Sequence, residues 1–132
     1  MKKICAILSL ALLTAALMPL GGCQSGSAAS PRALLDRYFS SAVRQDYGAS
    51  YDCYYTAYKA KINRAAYIRH RKQDPSILKG YRIISVAQSG NTARAQVLLA
   101  FAPSGPVKAK PVDIMVTENM VKENGDWRIK VW

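Results

Sequence analysis

The chain has 132 residues, with 19 lysines and arginines against 8 acidic residues, a formal charge of +11. That length suits one domain burying roughly two thirds of its unfolded surface, and the charge favours anionic partners. The chain has three cysteines and one histidine, and no cluster of histidine, cysteine and carboxylate residues has metal-ligand spacing.

The first residues read as an export signal. Lys2 and Lys3 precede an apolar run from Ile4 to Leu20, about 17 residues and at the lower limit for crossing a bilayer. Pro19 and Gly21-Gly22 would break its far end. A charged start, a short apolar region and small residues before a cut point are the marks of a secretory signal. The stretch Leu20-Gly21-Gly22-Cys23 resembles the lipobox of bacterial lipoproteins. The resemblance implies cleavage before Cys23 and a diacylglyceryl thioether on its sulfur. Residues 1–22 are then the signal, 23–30 the lipidated cysteine and a polar tether, and 31–132 the folded domain. A seven-residue flexible link spans ~13–16 Å on average. Gln24, in place of aspartate after the cysteine, favours the outer membrane in a cell that has two. Loss of Lys2 and Lys3 leaves a net charge of +9. In that compartment nucleic acid is not the expected partner. Anionic envelope lipids, acidic polymers or a partner protein are.

From Ser30 the pattern is helical. Ser30-Pro31 supplies an N-cap and a proline at the first helical position. Leu34, Leu35, Tyr38, Phe39, Ala42 and Val43 recur at helical spacing to about Gln45. Asp46 can cap a second, short helix through Tyr51 and Cys53. Asn63 can cap a third, ended by Asp74-Pro75. The period then changes from 3.6 to 2. Strands are expected over Tyr81–Gln88, Thr92–Ala102, Pro111–Val121 and from Trp127 to the end. Ser89-Gly90-Asn91 and Glu123-Asn124-Gly125-Asp126 are turn signals, and Pro103 to Lys110 reads as a loop. Ala93, Ala95, Val97, Leu99 and Phe101 share one face, and Val112, Ile114 and Val116 share one side of the third strand. Trp127 and Ile129 point inward from the last strand, with Trp127 expected against the first helix.

Helices followed by a four-stranded antiparallel meander make an α+β domain. The expected form is a curved, cone-like sheet around the first helix. Asp46-Tyr47-Gly48-Ala49-Ser50-Tyr51, after an amphipathic helix, resembles the doublet helix turn of the nuclear transport factor two-like (cystatin-like cone) superfamily. Val121 to Ile129, with a tryptophan after a glycine turn, is similar to that superfamily's last hairpin. Small bacterial lipoproteins of unknown function share this layout. The resemblance implies a pocket between sheet and helices. In enzymatic members, isomerases and dehydratases, that pocket holds acid–base groups acting on a hydrophobic substrate.

The residues themselves offer little catalysis. Asp113 and Glu118 fall on different faces of one strand, and Asp46, Asp52 and Asp126 read as cap or turn residues. No glycine loop for phosphate, nucleophile elbow or metal-ligand spacing is present. No catalytic residue, metal ligand or cofactor is therefore assigned. Cys53, among tyrosines, reads as a packed core thiol. Six tyrosines from Tyr47 to Tyr67 read first as packing. The candidate site is basic: Arg64, Arg69, Arg71 and Lys72 give a broad positive face toward an anionic surface. The expected function is a lipid-anchored, non-catalytic binding or accessory module of the cell envelope, the alternative being a small cone-fold enzyme.

Overall fold

The computed structural model describes residues 28–102 and 111–131. The signal segment, Cys23 and the loop 103–110 lie outside the described residues. Four helices precede four strands: α1 (Pro31–Val43), α2 (Tyr47–Asp52), α3 (Thr56–Lys61) and α4 (Arg64–Gln73), then β1 (Leu78–Ser89), β2 (Thr92–Phe101), β3 (Val112–Glu123) and β4 (Asp126–Lys130). Among the described residues no helix is long and apolar enough to cross a membrane.

The caps read from sequence are in place. Side-chain oxygens of Ser30, Asp46 and Asn63 accept from the backbone N–H groups of Ala33, Ala49 and Ala66, at 3.2, 3.1 and 2.9 Å. Each satisfies an orphan donor of a first turn. Three helices were expected, and α3 is the fourth. Its N-cap, Tyr55, makes no side-chain cap bond. Glu123, at the end of β3, accepts instead from the backbone N–H and hydroxyl of Thr56, at 3.0 and 3.1 Å. This helix start is signalled 67 residues away, beyond the reach of any local pattern.

The strands form one open antiparallel sheet in the order β1-β2-β3-β4. Gly90 takes φ +56° in the first hairpin, and Asn124 and Gly125 take +51° and +87° in the last. These are the turn geometries those residue types favour. A register shift between Ile83 and Ser85 interrupts the β1 ladder. The segment Cys53–Tyr55 runs beside β4. Tyr55 N–H donates to Ile129 O at 3.0 Å, and Ile129 N–H to Cys53 O at 2.8 Å. It thereby covers an edge that would otherwise expose unpaired backbone groups.

One face of the sheet is the inner face. On it Val97 is fully buried, and Ala95, Met120, Trp127 and Ile129 nearly so. Helix α1 lies against β1 and also meets β4, bringing Leu34, Leu35 and Phe39 into the same core. Phe39 stacks on Tyr81 with ring centroids 5.4 Å apart. Burial of Trp127 agrees with the expectation for the last strand. Ala28 is also buried, and its carbonyl accepts from the backbone N–H of Trp127 at 3.5 Å.

Candidate functional site

The basic face lies on α4, where Tyr67 is the buried residue. The structure divides the four expected cations into two pairs. Arg64 and Arg71, seven residues apart, turn toward the rest of the domain. The Arg64 guanidinium sits 3.5 Å from the Asp52 carboxylate and lies over Gly48. Arg71 donates to Asp74 at 3.1 Å and covers the Tyr47 ring, 5.6 Å from its centroid. Arg69 and Lys72, three apart on the opposite side, are exposed with His70 beside them. They have no ion-pair partner among the described residues. The face open to an external anion is therefore Arg69 and Lys72, with Arg64 and Arg71 serving the fold.

The acidic residues sharpen this division. Asp46 caps α2 and Glu123 caps α3. Asp52 holds Arg64, and Asp126 lies 3.3 Å from Arg128. Asp36 accepts from the Tyr81 hydroxyl at 3.1 Å. Asp74 accepts from both the hydroxyl and the backbone N–H of Ser76. Those bonds, with Arg71 nearby, hold its carboxyl below the usual aspartate range. Glu118 is half-buried in the sheet. Asp113 and Glu118 aside, the acidic side chains of the described domain are engaged within it, which leaves Arg69 and Lys72 without an acidic partner.

The tyrosines pack, as expected. Tyr47, Tyr51, Tyr54 and Tyr67 are buried, and Tyr54 meets the rings of Tyr38, Tyr58 and Tyr67 at 5.4, 4.4 and 5.6 Å. The hydroxyls of Tyr51, Tyr54 and Tyr67 are hydrogen-bonded within the domain. Tyr38 and Tyr54 share a hydrogen bond of 2.6 Å, and Tyr51 donates to the Ile62 carbonyl at 2.8 Å. Burial raises both Tyr38 and Tyr54 far above the ordinary phenol value. Cys53 is fully buried, its thiol donates to Ala49 O at 3.4 Å, and desolvation pushes it up to about 11. It is an inert core thiol at neutral pH.

One residue of interest escaped the sequence reading. Glu118 pairs with Ala95 across β2 and β3, and paired residues share a face. It therefore stands on the inner face, between Val116 and Met120, and Tyr38 of α1 is within its electrostatic reach. Desolvation raises its carboxyl from 4.5 to about 7. Such a group can exchange a proton near neutrality. The available signal was a carboxylate interrupting the apolar alternation of Val112, Ile114, Val116 and Met120. Farther along that face Val112 and Ile114 are 52% and 46% exposed, although they occupy the side expected to be core. With Ser76, Phe101 and Ala102 they line a cavity of about 250 Å³. Among the described residues no cluster of histidine, cysteine or acidic side chains could hold a metal ion.

No protein-family model matches this chain, and no curated protein matches it in sequence. Solved structures do. The solution structure of a SEC-C motif containing protein from Rhodopseudomonas palustris superposes with a TM-score of 0.66 at 15% identity, over 80% of this chain and 79% of that one. A SEC-C motif containing protein from Psychrobacter arcticus gives 0.58 at 14% identity, over 81% of this chain and 62% of that one. At such identities the likeness is one of fold. It replaces the nuclear transport factor two-like lipoprotein suggested by the doublet helix and closing hairpin, since neither neighbour is of that description. The physical reason is local. Asp46–Tyr51 encodes a capped short helix and Glu123–Asp126 an asparagine-glycine turn. Both are devices that any chain of helices followed by a meander can use.

Proposed function

We propose that this chain is a non-catalytic binding module held at the cell-envelope membrane by a lipid on Cys23. Its outer basic face, Arg69 and Lys72 on α4, meets an anionic surface, first of all lipid headgroups. The observation that carries the reading is the internal commitment of the acids, which leaves those cations exposed and unneutralised. The anchor rests on the Leu20–Cys23 sequence, and Gln24 favours the outer membrane of a two-membrane cell. The reading takes the sheet as curved around α1, because that helix meets both β1 and β4. Each cation near an anionic headgroup layer contributes about 1 kcal/mol, within a reach of about 8–10 Å at moderate salt.

A second reading, a small acid–base enzyme for a hydrophobic substrate, draws on Glu118. Among the described residues no hydrogen bond reaches that carboxyl, and the Tyr38 and Tyr54 hydroxyls share one with each other.

The test places the full chain in phosphatidylcholine nanodiscs, with or without phosphatidylglycerol, each carrying a headgroup spin label. Paramagnetic broadening of the Arg69 and Lys72 amides is expected only with the anionic lipid. Added salt should remove it, as should Arg69→Glu with Lys72→Glu. Arg64→Gln should leave it nearly unchanged. Equal broadening in neutral lipid, or in the double variant, would overturn the reading.

A further inference from the structure

The outer face of the sheet carries a row of four residues, one from each strand. Ala87 of β1 pairs with Arg94 of β2, Arg94 with Asn119 of β3, and Asn119 with Lys130 of β4. Paired residues share a face, and their chain neighbours Ala93, Ala95, Met120 and Ile129 are buried on the other. Arg94 and Lys130 are exposed, and Asn119 is half-buried between them. The two cations stand two strand spacings apart, about 10 Å at the backbone. All four residues line one groove of about 440 Å³, bounded at one end by Ser89 and Thr92 of the first hairpin.

The positive charge of this groove is not compensated. Among the described residues no acidic side chain lines it, and neither Arg94 nor Lys130 has a hydrogen-bond or ion-pair partner. The acids on this face lie elsewhere. Glu123 caps α3, Asp126 is held by Arg128, and Asp113 pairs with Ala100, six residues along β2 from Arg94. Arg94 also borders a second groove of about 330 Å³, with Ser85, Ala87 and Gln96. There the Gln96 amide donates to the Thr117 hydroxyl at 3.0 Å. That surface presents hydroxyl and amide groups, with Arg94 its one charge among the described residues. No aromatic side chain lines either groove, so a nucleobase has nothing to stack on.

We propose that the outer-face groove binds a phosphate monoester carried on a small polyol. The phosphate lies over Asn119, between the Arg94 guanidinium and the Lys130 ammonium, and the polyol runs past Arg94 toward Ser85 and Gln96. A phosphate monoester carries about −1.5 to −2 charges at pH 7, which two cations match and a carboxylate would not. The guanidinium fork offers parallel donors to two phosphate oxygens, Lys130 acts as a point charge, and the Asn119 amide adds a neutral donor. The apolar residues of the larger groove are the small Ala87 and the buried Ala93 and Met120. They give an acyl chain little to lie on, which favours a soluble ester over a lipid headgroup of the same chemistry. The site shares no residue with the cations of α4 and stands whether or not those meet a membrane.

The test titrates the full chain, in phosphatidylcholine nanodiscs, with glycerol 3-phosphate, glycerate and glycerol in turn. These share a three-carbon skeleton and differ in charge. Amide chemical shifts of Ala87, Thr92 and Asn119 report the groove. Glycerol 3-phosphate should half-saturate them at a concentration at least about fivefold below that for glycerate, and glycerol should give none. Arg94→Gln and Lys130→Gln, at exposed positions where a native spectrum is retained, should each weaken phosphate binding at least about threefold and together abolish it. Arg69→Glu with Lys72→Glu should leave it unchanged. Nanodiscs containing phosphatidic acid, with no soluble ester present, should not reproduce the shifts. Equal response to glycerate, no response to glycerol 3-phosphate, unchanged binding in the Arg94 and Lys130 variants, or a response to phosphatidic acid alone would each overturn the proposal.

Discussion

The guanidinium of Arg64 lies over Gly48, in the space that a Cβ on residue 48 would fill. The glycine has ordinary helical backbone and is needed for this approach, not for conformational freedom. It lets Arg64 cross α2 to reach Asp52. Gly48→Ala should therefore push the flexible end of Arg64 aside and leave the helix itself intact. The helix gains up to about 1 kcal/mol from losing glycine, and an exposed ion pair worth about 0–1 kcal/mol is lost. Folding stability should stay within about 1 kcal/mol of wild type. The released Arg64 stays on its own side of α4, opposite Arg69 and Lys72, so broadening of the Arg69 and Lys72 amides by anionic nanodiscs should stay nearly unchanged. A stability loss of several kcal/mol by denaturant unfolding would show that Arg64 cannot swing away.

Gln45 offers the clearest stabilising substitution. It follows α1 with φ +59°. The N–H of Asp46 donates to Ser41 O at 2.9 Å, and that of Gln45 to Ala42 O at 3.0 Å. This is the Schellman closure, whose left-handed residue is normally glycine. A glutamine there is strained by about 1–2 kcal/mol, of which glycine's extra unfolded-state entropy would return part. Gln45→Gly should raise stability by about 0.5–1 kcal/mol, read as a thermal midpoint roughly 4 °C higher. Gln45→Val should lower it. An unchanged midpoint in both would mean that the turn relaxes at no cost.

Much of this architecture is written in short-range patterns. Ser30, Asp46 and Asn63 announce three helices, and Asn124-Gly125 announces the last hairpin. The period-2 runs give the strands to within a few residues. What was not legible was set by distant partners. Helix α3 begins where Glu123 meets Thr56, and no window around Thr56 contains that glutamate. The four basic residues of α4 looked alike in sequence. Asp52 on α2, Asp74 at the helix end and the Tyr47 ring separate structural from exposed cations. Val112 and Ile114 have the alternation of a core strand, yet burial depends on what covers them, and alternation carries no information on that. The same short patterns also misled, because a cap and a turn suggested a superfamily that the fold neighbours do not bear out.

The inner-face carboxylate gives a pH dependence with a definite sign. In the unfolded chain Glu118 ionises near the ordinary value of 4.5, whereas in the fold it does so at about 7, through desolvation. Below the lower value both states hold the proton, and Glu118 contributes no pH dependence. Between the two, the unfolded chain has released its proton and the folded chain has not, so rising pH favours unfolding. Above the upper value the loss is complete. Two to three pH units correspond to about 3 kcal/mol, a large share of a small domain's stability. Glu118→Gln keeps the shape and removes the titration. Its stability relative to wild type should be flat below pH 4.5, rise through the interval to pH 7 and level off above it. At pH 8 the variant should melt roughly 10 °C or more above wild type. A difference curve without slope between pH 4.5 and 7 would show that water reaches the Glu118 carboxylate freely. A falling curve would show that a cation holds it ionised in the folded chain.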